Sequence, residues 1–353
     1  MSRVLALALF AAAAPLAAHA ASTAPAKAQS GPYHAPRNAW GQPDLGSFWT
    51  NVSMTPEMRP ASLGAKGAYT KDEAAKIESG AAKELEEGNQ ASDPNAGAPK
   101  AGGETKAGIR PEFAAAGGGV GGYDRGWLDP GSHVMRVRGE ARTSILTTPD
   151  GRVPKPKPGV PVPAAGRGGG GLGSFDNPEN RSLGERCIMG FGRNAGPPML
   201  ANGFYNNNYQ IIQSKDDVGI VIEMVHDVRH IRLGGQHRTD GVRPWMGDSI
   251  GRWEGDTLVV ETTNIPQAQA YYGAWRDLKV TERFTRMGPH RLGYQYQVEA
   301  PSIWDAAWGG EYEFNPLDGQ IFEYACHEGN HALPGMLAGA RLEEKNAGPK
   351  KGE

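Results

Sequence analysis

A carboxylate flanked by phenols is the strongest chemical signal in the chain. Over residues 278–287, alternation puts Leu278, Val280, Glu282 and Phe284 on one face and Lys279, Thr281, Arg283 and Thr285 on the other. The next run, 292–299, places Leu292, Tyr294, Tyr296 and Val298 together. Glu282 then sits on an apolar face beside Tyr294 and Tyr296, where desolvation raises a carboxyl pKa and suits it to acid/base work. The run 218–232 sets Ile220, Ile222, Met224, His226, Val228 and His230 on one face, with Asp227 and Arg229 opposite. On this pattern His226 and Glu282 form an acid/base pair, with Tyr294 or Tyr296 assisting. The plainer readings are a Glu paired with an Arg, a satisfied core histidine and packing tyrosines. His226 and His230 would lie about 13 Å apart along one strand, too far to chelate one metal.

His327 and Glu328 form a second candidate pair. The loop 265–277 carries Tyr271, Tyr272, Trp275 and Arg276, aromatics and a cation able to stack on a sugar or an aromatic ring, or to pack on the barrel wall. Trp245, in the loop 234–247 with His237, Arg238 and Arg243, and Trp253 are further substrate-binding candidates. Three literal motif matches lack their required setting. His327-Glu328-Gly329-Asn330-His331 spells a zinc-protease motif, yet Gly and Asn interrupt it and Pro334 follows. Gly247-Asp248-Ser249-Ile250-Gly251 spells a nucleophile elbow but leads into a hairpin rather than a helix. Gly168, Gly170 and Gly173 lie in a Pro/Gly-rich loop without strand or helix around them. No metal and no cofactor are expected.

The elements that must position these groups are strands. Eight runs rich in Val, Ile, Tyr, Phe, Trp and Thr occupy 208–214, 218–232, 249–254, 257–264, 278–287, 292–299, 308–314 and 320–327. Short turns between several of them make antiparallel hairpins. The fold class is therefore mainly β: an antiparallel meander over 186–343 that closes into a barrel able to hold one small ligand, with a sandwich as the alternative. Residues 142–148 add a candidate ninth strand. Residues 21–130 read as a loop-rich extension with one helix near 71–87, opened by the capping box Thr70-Lys71-Asp72-Glu73. Residues 131–185 hold a strand and a Pro/Gly-rich loop, and 344–353 a polar tail.

Composition bounds the rest. Gly (50) and Pro (27) make up about a fifth of the 353 residues, which excludes a coiled coil or uninterrupted helical bundle. With 37 basic and 39 acidic residues there is no polycationic surface for nucleic acid. Residues 1–20 read as a general secretory signal peptide: Arg3, an apolar run, then Ala18-His19-Ala20. No other stretch is long and apolar enough for membrane insertion. A periplasmic or secreted protein meets oxidising conditions, so Cys187 and Cys326 are expected to form a disulfide. The alternatives are two buried thiols or a catalytic thiol pair.

Long motifs add a resemblance. Trp245-Met246-Gly247-Asp248-Ser249, the run from Gly251-Arg252-Trp253-Glu254-Gly255-Asp256 to Asn264, and Tyr324-Ala325-Cys326-His327-Glu328-Gly329-Asn330 resemble a widespread uncharacterised family of secreted bacterial proteins. The segments 206–212 and 43–50 do so too, and the tract 253–260 is similar to part of a lipocalin-like barrel. The resemblance implies export and a barrel, and names no mechanism. The expected function is acid/base chemistry on a small sugar-like or aromatic compound, by a lyase, hydratase, isomerase or hydrolase. The alternatives are a lipocalin-like carrier of an apolar small molecule and an envelope interaction protein. The expected partner is thus a small-molecule ligand, with protein partners unassigned.

Overall fold

The computed structural model describes residues 33–88, 129, 131–161, 175–190, 192–201 and 205–347. The expected signal peptide over 1–20, most of the Gly-rich stretch 88–122 and residues 162–173 lie outside the described residues. In chain order the strands are β1 (Ser47–Thr50), β2 (Arg136–Val137), β3 (Glu140–Ala141), β4 (Asn208–Gln213), β5 (Asp217–Ile222) and β6 (Val228–Leu233). They continue as β7 (Asp248–Glu254), β8 (Thr257–Thr263), β9 (Lys279–Gly288), β10 (Arg291–Glu299) and β11 (Trp308–Pro316). Two α-helices are described, α1 (Lys71–Gly88) and α2 (Ala332–Ala347). Neither is long and apolar enough to cross a membrane.

Nine strands close into one barrel in the order β1-β11-β10-β9-β8-β7-β6-β5-β4, with β1 also paired to β4. All pairs are antiparallel except β6 with β7, which run parallel because the connection 234–247 carries the chain back along the barrel. The alternation read for β9 and β10 holds. Val280, Glu282 and Phe284 face inward opposite Val298, Tyr296 and Tyr294, and all are buried. The interior is filled by large side chains under 2% exposed, among them Trp49, Tyr209, Phe284, Tyr294, Phe314, Ile220 and Ile222. Tyr294 and Tyr312 meet at 4.7 Å between ring centroids, and Tyr209 meets Phe314 edge-on at 5.4 Å, geometries that aromatic pairs prefer.

Four expectations change. The run 218–232 is two strands, not one: Val225 and His226 turn through positive φ (56° and 46°), and the break shifts the alternation by one residue. Arg229 therefore points inward and His230 outward, where its Nε2 meets Asp217 Oδ1 at 2.6 Å. Residues 320–327 form no strand. The ninth strand is β1, from the N-terminal extension, while residues 145–147 only run beside β11 through a bridge between Leu146 and Gly310. The last part of the expected barrel stretch and the start of the polar tail form α2, whose helical pattern Pro334, Gly335 and Gly339 disguise. α1 forms as expected, with Glu73 and Thr70 exchanging both capping-box hydrogen bonds.

The hairpin β2–β3 docks on the outer face of β11. Arg138 and Arg142 donate to Glu311, and the Arg138 amide donates to Glu313 at 2.6 Å. A disulfide joins Cys187 to Cys326 across 139 residues with Cα atoms 5.8 Å apart, which fits an oxidising compartment. It staples the 175–201 segment to the chain that follows β11. Replacing both cysteines by Ser is expected to cost up to about 5 kcal/mol in urea unfolding, as closing a loop of that length predicts. Native protein denatured without reductant should show no thiol; reactive thiols or an unchanged midpoint would contradict the bridge.

Candidate functional site

At the barrel's centre Arg229 and Glu282 form a buried ion pair, 1% and 0% exposed at their side chains. Arg229 Nη1 donates to Glu282 Oε1 at 2.9 Å, and Nη2 meets Oε2. The same Nη2 donates to Thr262 Oγ1 at 2.8 Å, and Nε to Ser249 Oγ at 3.3 Å. Tyr294 donates its hydroxyl to Glu282 Oε1 at 2.7 Å and accepts the Met199 amide at 2.8 Å. Both carboxylate oxygens are thus engaged in a packed interior, as in the plainer reading of Glu282. Ser249, the serine of the elbow-like motif, lies buried in β7 as part of this network.

The structure does not bring His226 to Glu282. His226 is exposed on the turn after β5, its Nδ1 3.1 Å from the Tyr324 carbonyl. His327 and Glu328 are exposed in a turn ahead of α2, not on a helix, and the Asn330 side chain fixes that turn by donating to the Cys326 carbonyl and capping the Ala332 amide. Trp245 is exposed, Trp253 half-buried, and the Trp275 ring is met by the guanidiniums of Arg243 and Arg276 at 5.3 and 4.8 Å. His237 lies between Asp248 (3.0 Å) and Glu261 (3.3 Å), both ring nitrogens facing carboxylates. Among the described residues no three His, Cys, Asp or Glu side chains converge as a metal site.

What the fold does assemble is a second carboxyl among phenols. One end of the barrel is closed by short hairpins such as 214–217 and 254–257, while the other gathers the long connections 51–59, 175–201, 264–278 and 300–307. At that end residues 145–147 form a rung: Ile145 and Leu146 donate their amides to Pro56 and Glu57, while the Ile145 carbonyl and Thr147 amide pair with Glu311 and Gly309 of β11. Glu57 is thereby held beside the start of β11, half-buried, with Tyr271 donating its hydroxyl to Oε1. Burial pushes the Glu57 carboxyl above its ordinary range, against the opposing pull of Tyr271, Tyr272 and the Arg193 charge. The Arg193 guanidinium lies 4.5 Å from the Tyr271 ring centroid and donates to the Gln269 carbonyl at 3.2 Å. Trp308 stacks on Tyr271 at 5.5 Å, and Tyr272 approaches both rings edge-on. Tyr296 completes the cluster, and Gly310 opposite it is obligatory because a Cβ there would lie 2.7 Å from the Tyr296 ring.

Two of the candidates, Tyr271 and Tyr272, and a third, Tyr296, therefore meet here. The carboxyl and the cation beside them, Glu57 and Arg193, were missed. Both sit in irregular chain, where no period marks a facing side chain. A Glu following Thr55-Pro56 carries no signal of its own.

Asp227 is a further perturbed acid. Burial raises its pKa from 3.8 to about 6, opposed by the Gly190 amide, which donates to Oδ2 at 3.0 Å, and by His226. Because its folded pKa lies above the unfolded value, it favours the fold fully below pH 4 and loses that contribution as pH rises through 6. Asp227→Asn should gain on the native protein by about 2–3 kcal/mol between pH 4 and 7; parallel urea midpoints across that range would contradict this. For the central pair, Glu282→Leu or Arg229→Met alone should cost about 3–5 kcal/mol, and the joint Arg229→Met/Glu282→Leu less than either. Urea unfolding of the four proteins checks this, and a joint cost equal to the sum of the singles would mean the pair is not coupled.

No protein-family model, curated protein or solved structure matches the chain, so the functional reading rests on this geometry.

Proposed function

We propose that the protein is an exported enzyme, periplasmic or secreted, that performs acid/base proton transfer on a small sugar-like or aromatic compound at the barrel end around Glu57. The observation that carries the reading is a largely buried carboxyl, inclined by burial to hold its proton, in a hydrogen bond with Tyr271. A general acid or base works best with a pKa near the ambient pH, and a carboxyl raised by desolvation moves that way. Glu57 exchanges the proton. Tyr271 and Tyr272 orient the carboxyl and relay the proton, and Arg193 stabilises negative charge that develops on the substrate. Tyr271 and Trp308 are buried against each other and back the wall, and the partly exposed Tyr272 is the ring left to meet an aromatic or sugar ring. Elimination, hydration, isomerisation and hydrolysis all use this set.

The test incubates mature protein with pooled sugars, glycosides and phenolics and follows substrate loss and protein-bound compounds by mass spectrometry. Glu57→Gln should reduce turnover by about 100-fold or more, the size of a general acid/base contribution, and Tyr272→Phe by less. Turnover unchanged in Glu57→Gln overturns the assignment. A compound retained unaltered by every variant would make the protein a carrier.

A further inference from the structure

A second surface feature lies on the outer face of the barrel and touches that site only at its margin, through Tyr296 and Gly310. On the outer face of β9, β10 and β11 a cleft of about 270 Å³ is lined by Thr281, Arg283, Gln295, Gln297 and Glu311, with Thr147, Tyr296 and Gly310 at its margins. The geometry points to this cleft as a binding site for a neutral polyhydroxylated ligand, a short carbohydrate, distinct from the Glu57 site.

Register makes the lining a grid. Thr281 pairs with Gln297, Arg283 with Gln295, and Gln295 with Glu311. Directly opposed residues on one sheet face stand about 5 Å apart and successive ones along a strand about 7 Å, so hydroxyl, amide and charged groups are laid out in two dimensions on a rigid sheet. The charges in the grid are already matched. Arg283 donates to Glu254 at 2.8 Å. Glu311 accepts from Arg138, Arg142 and Gln295. An anion would have to compete with Glu254 for Arg283, and a cation with two guanidiniums for Glu311. The remaining hydrogen-bonding capacity is uncharged. Among the described residues the side chains of Thr281 and Gln297 make no hydrogen bond, and Gln295 uses its amide nitrogen and keeps its carbonyl oxygen. Uncommitted amides and hydroxyls offer both donors and acceptors, as a polyol demands, while an apolar ligand would strand them. The volume is just below the usual range of ligand pockets, roughly 300 Å³ upward, and suits one ring of a longer chain lying across the sheet. The cleft adjoins the Glu57 site through the rung at 145–147, so a chain seated here could reach the barrel end.

The test titrates intact mature protein with neutral cello-, xylo- and malto-oligosaccharides, and with oligogalacturonate as the charged comparison, by calorimetry and by chemical-shift changes. At least one neutral series should bind, with an affinity that hardly changes between low and high salt. Gln297→Ala and Thr281→Ala, exposed or half-exposed changes that leave the core intact, should each weaken it three- to tenfold, as the loss of one hydrogen bond predicts. Glu57→Gln should leave this binding unchanged, so failure of the catalytic reading and failure of the cleft are told apart. No binding by any neutral series, preference for oligogalacturonate, or insensitivity to both substitutions would overturn the assignment.

Discussion

Closure of the barrel by β1 is the constraint on which the rest depends. Strands β4 to β11 form an open sheet whose two edges would present unpaired amides and carbonyls. Four residues, Ser47–Thr50, join them by pairing with β4 on one side and β11 on the other. They are well chosen for a short plug: Trp49 turns inward at 1% exposure, fills the interior and donates its indole N–H to the Leu45 carbonyl at 3.1 Å. Closure also fixes where the chain goes next. After Thr50 it must cross the barrel end, and that crossing delivers Glu57 to the mouth where Tyr271 waits. The acid of the proposed site is thus a consequence of how the sheet is sealed.

Within the sealed interior, a charged pair takes a place that apolar side chains could fill. Burying Arg229 and Glu282 carries a desolvation cost that the bidentate contact and the bonds from Tyr294, Thr262 and Ser249 must offset. Such a pair adds little net stability but demands one register, because only one alignment of β6, β7, β8 and β9 brings all these groups together. That matters where β6 and β7 run parallel through only three paired positions. The loop between them is long, and the ion pair supplies alignment that the short ladder does not.

Much of this was legible in the sequence because strand alternation is a period-two code. β9 and β10 obey it without interruption, so the inward set around Glu282 and Tyr294 could be read directly. The code fails at a single extra residue. Val225 and His226 adopt positive φ although neither is Gly or Asn, and nothing in their chemistry announces it. Past that break every side chain swaps faces, which sends His226 and His230 to solvent and Arg229 to the core. Glu57 and Arg193 were illegible for a different reason: Glu57 is placed by a backbone bond to the distant Leu146 and the Arg193 side chain by its bond to the Gln269 carbonyl, and no local pattern encodes those.

The asymmetry between the barrel's two ends follows from the same physics. Hairpins two or three residues long need only a turn and leave no room for a site. The opposite end is built from irregular connections, which must satisfy their own backbone groups and hold their shape without a ladder. The disulfide ties residue 187 to residue 326, Arg193 binds the carbonyl of Gln269 in the loop before Tyr271, and Arg243 holds the carbonyls of Ile265 and Trp275. Each tie crosses from one connection to another, so the loops order one another. Arg193 therefore acts twice, as a strut for the 264–278 loop and as the charge beside Glu57. A substitution there would loosen the aromatic wall as well as remove the cation, which is why Glu57→Gln, which keeps an acceptor for the Tyr271 hydroxyl, and Tyr272→Phe, which keeps the ring, are the changes that separate chemistry from architecture.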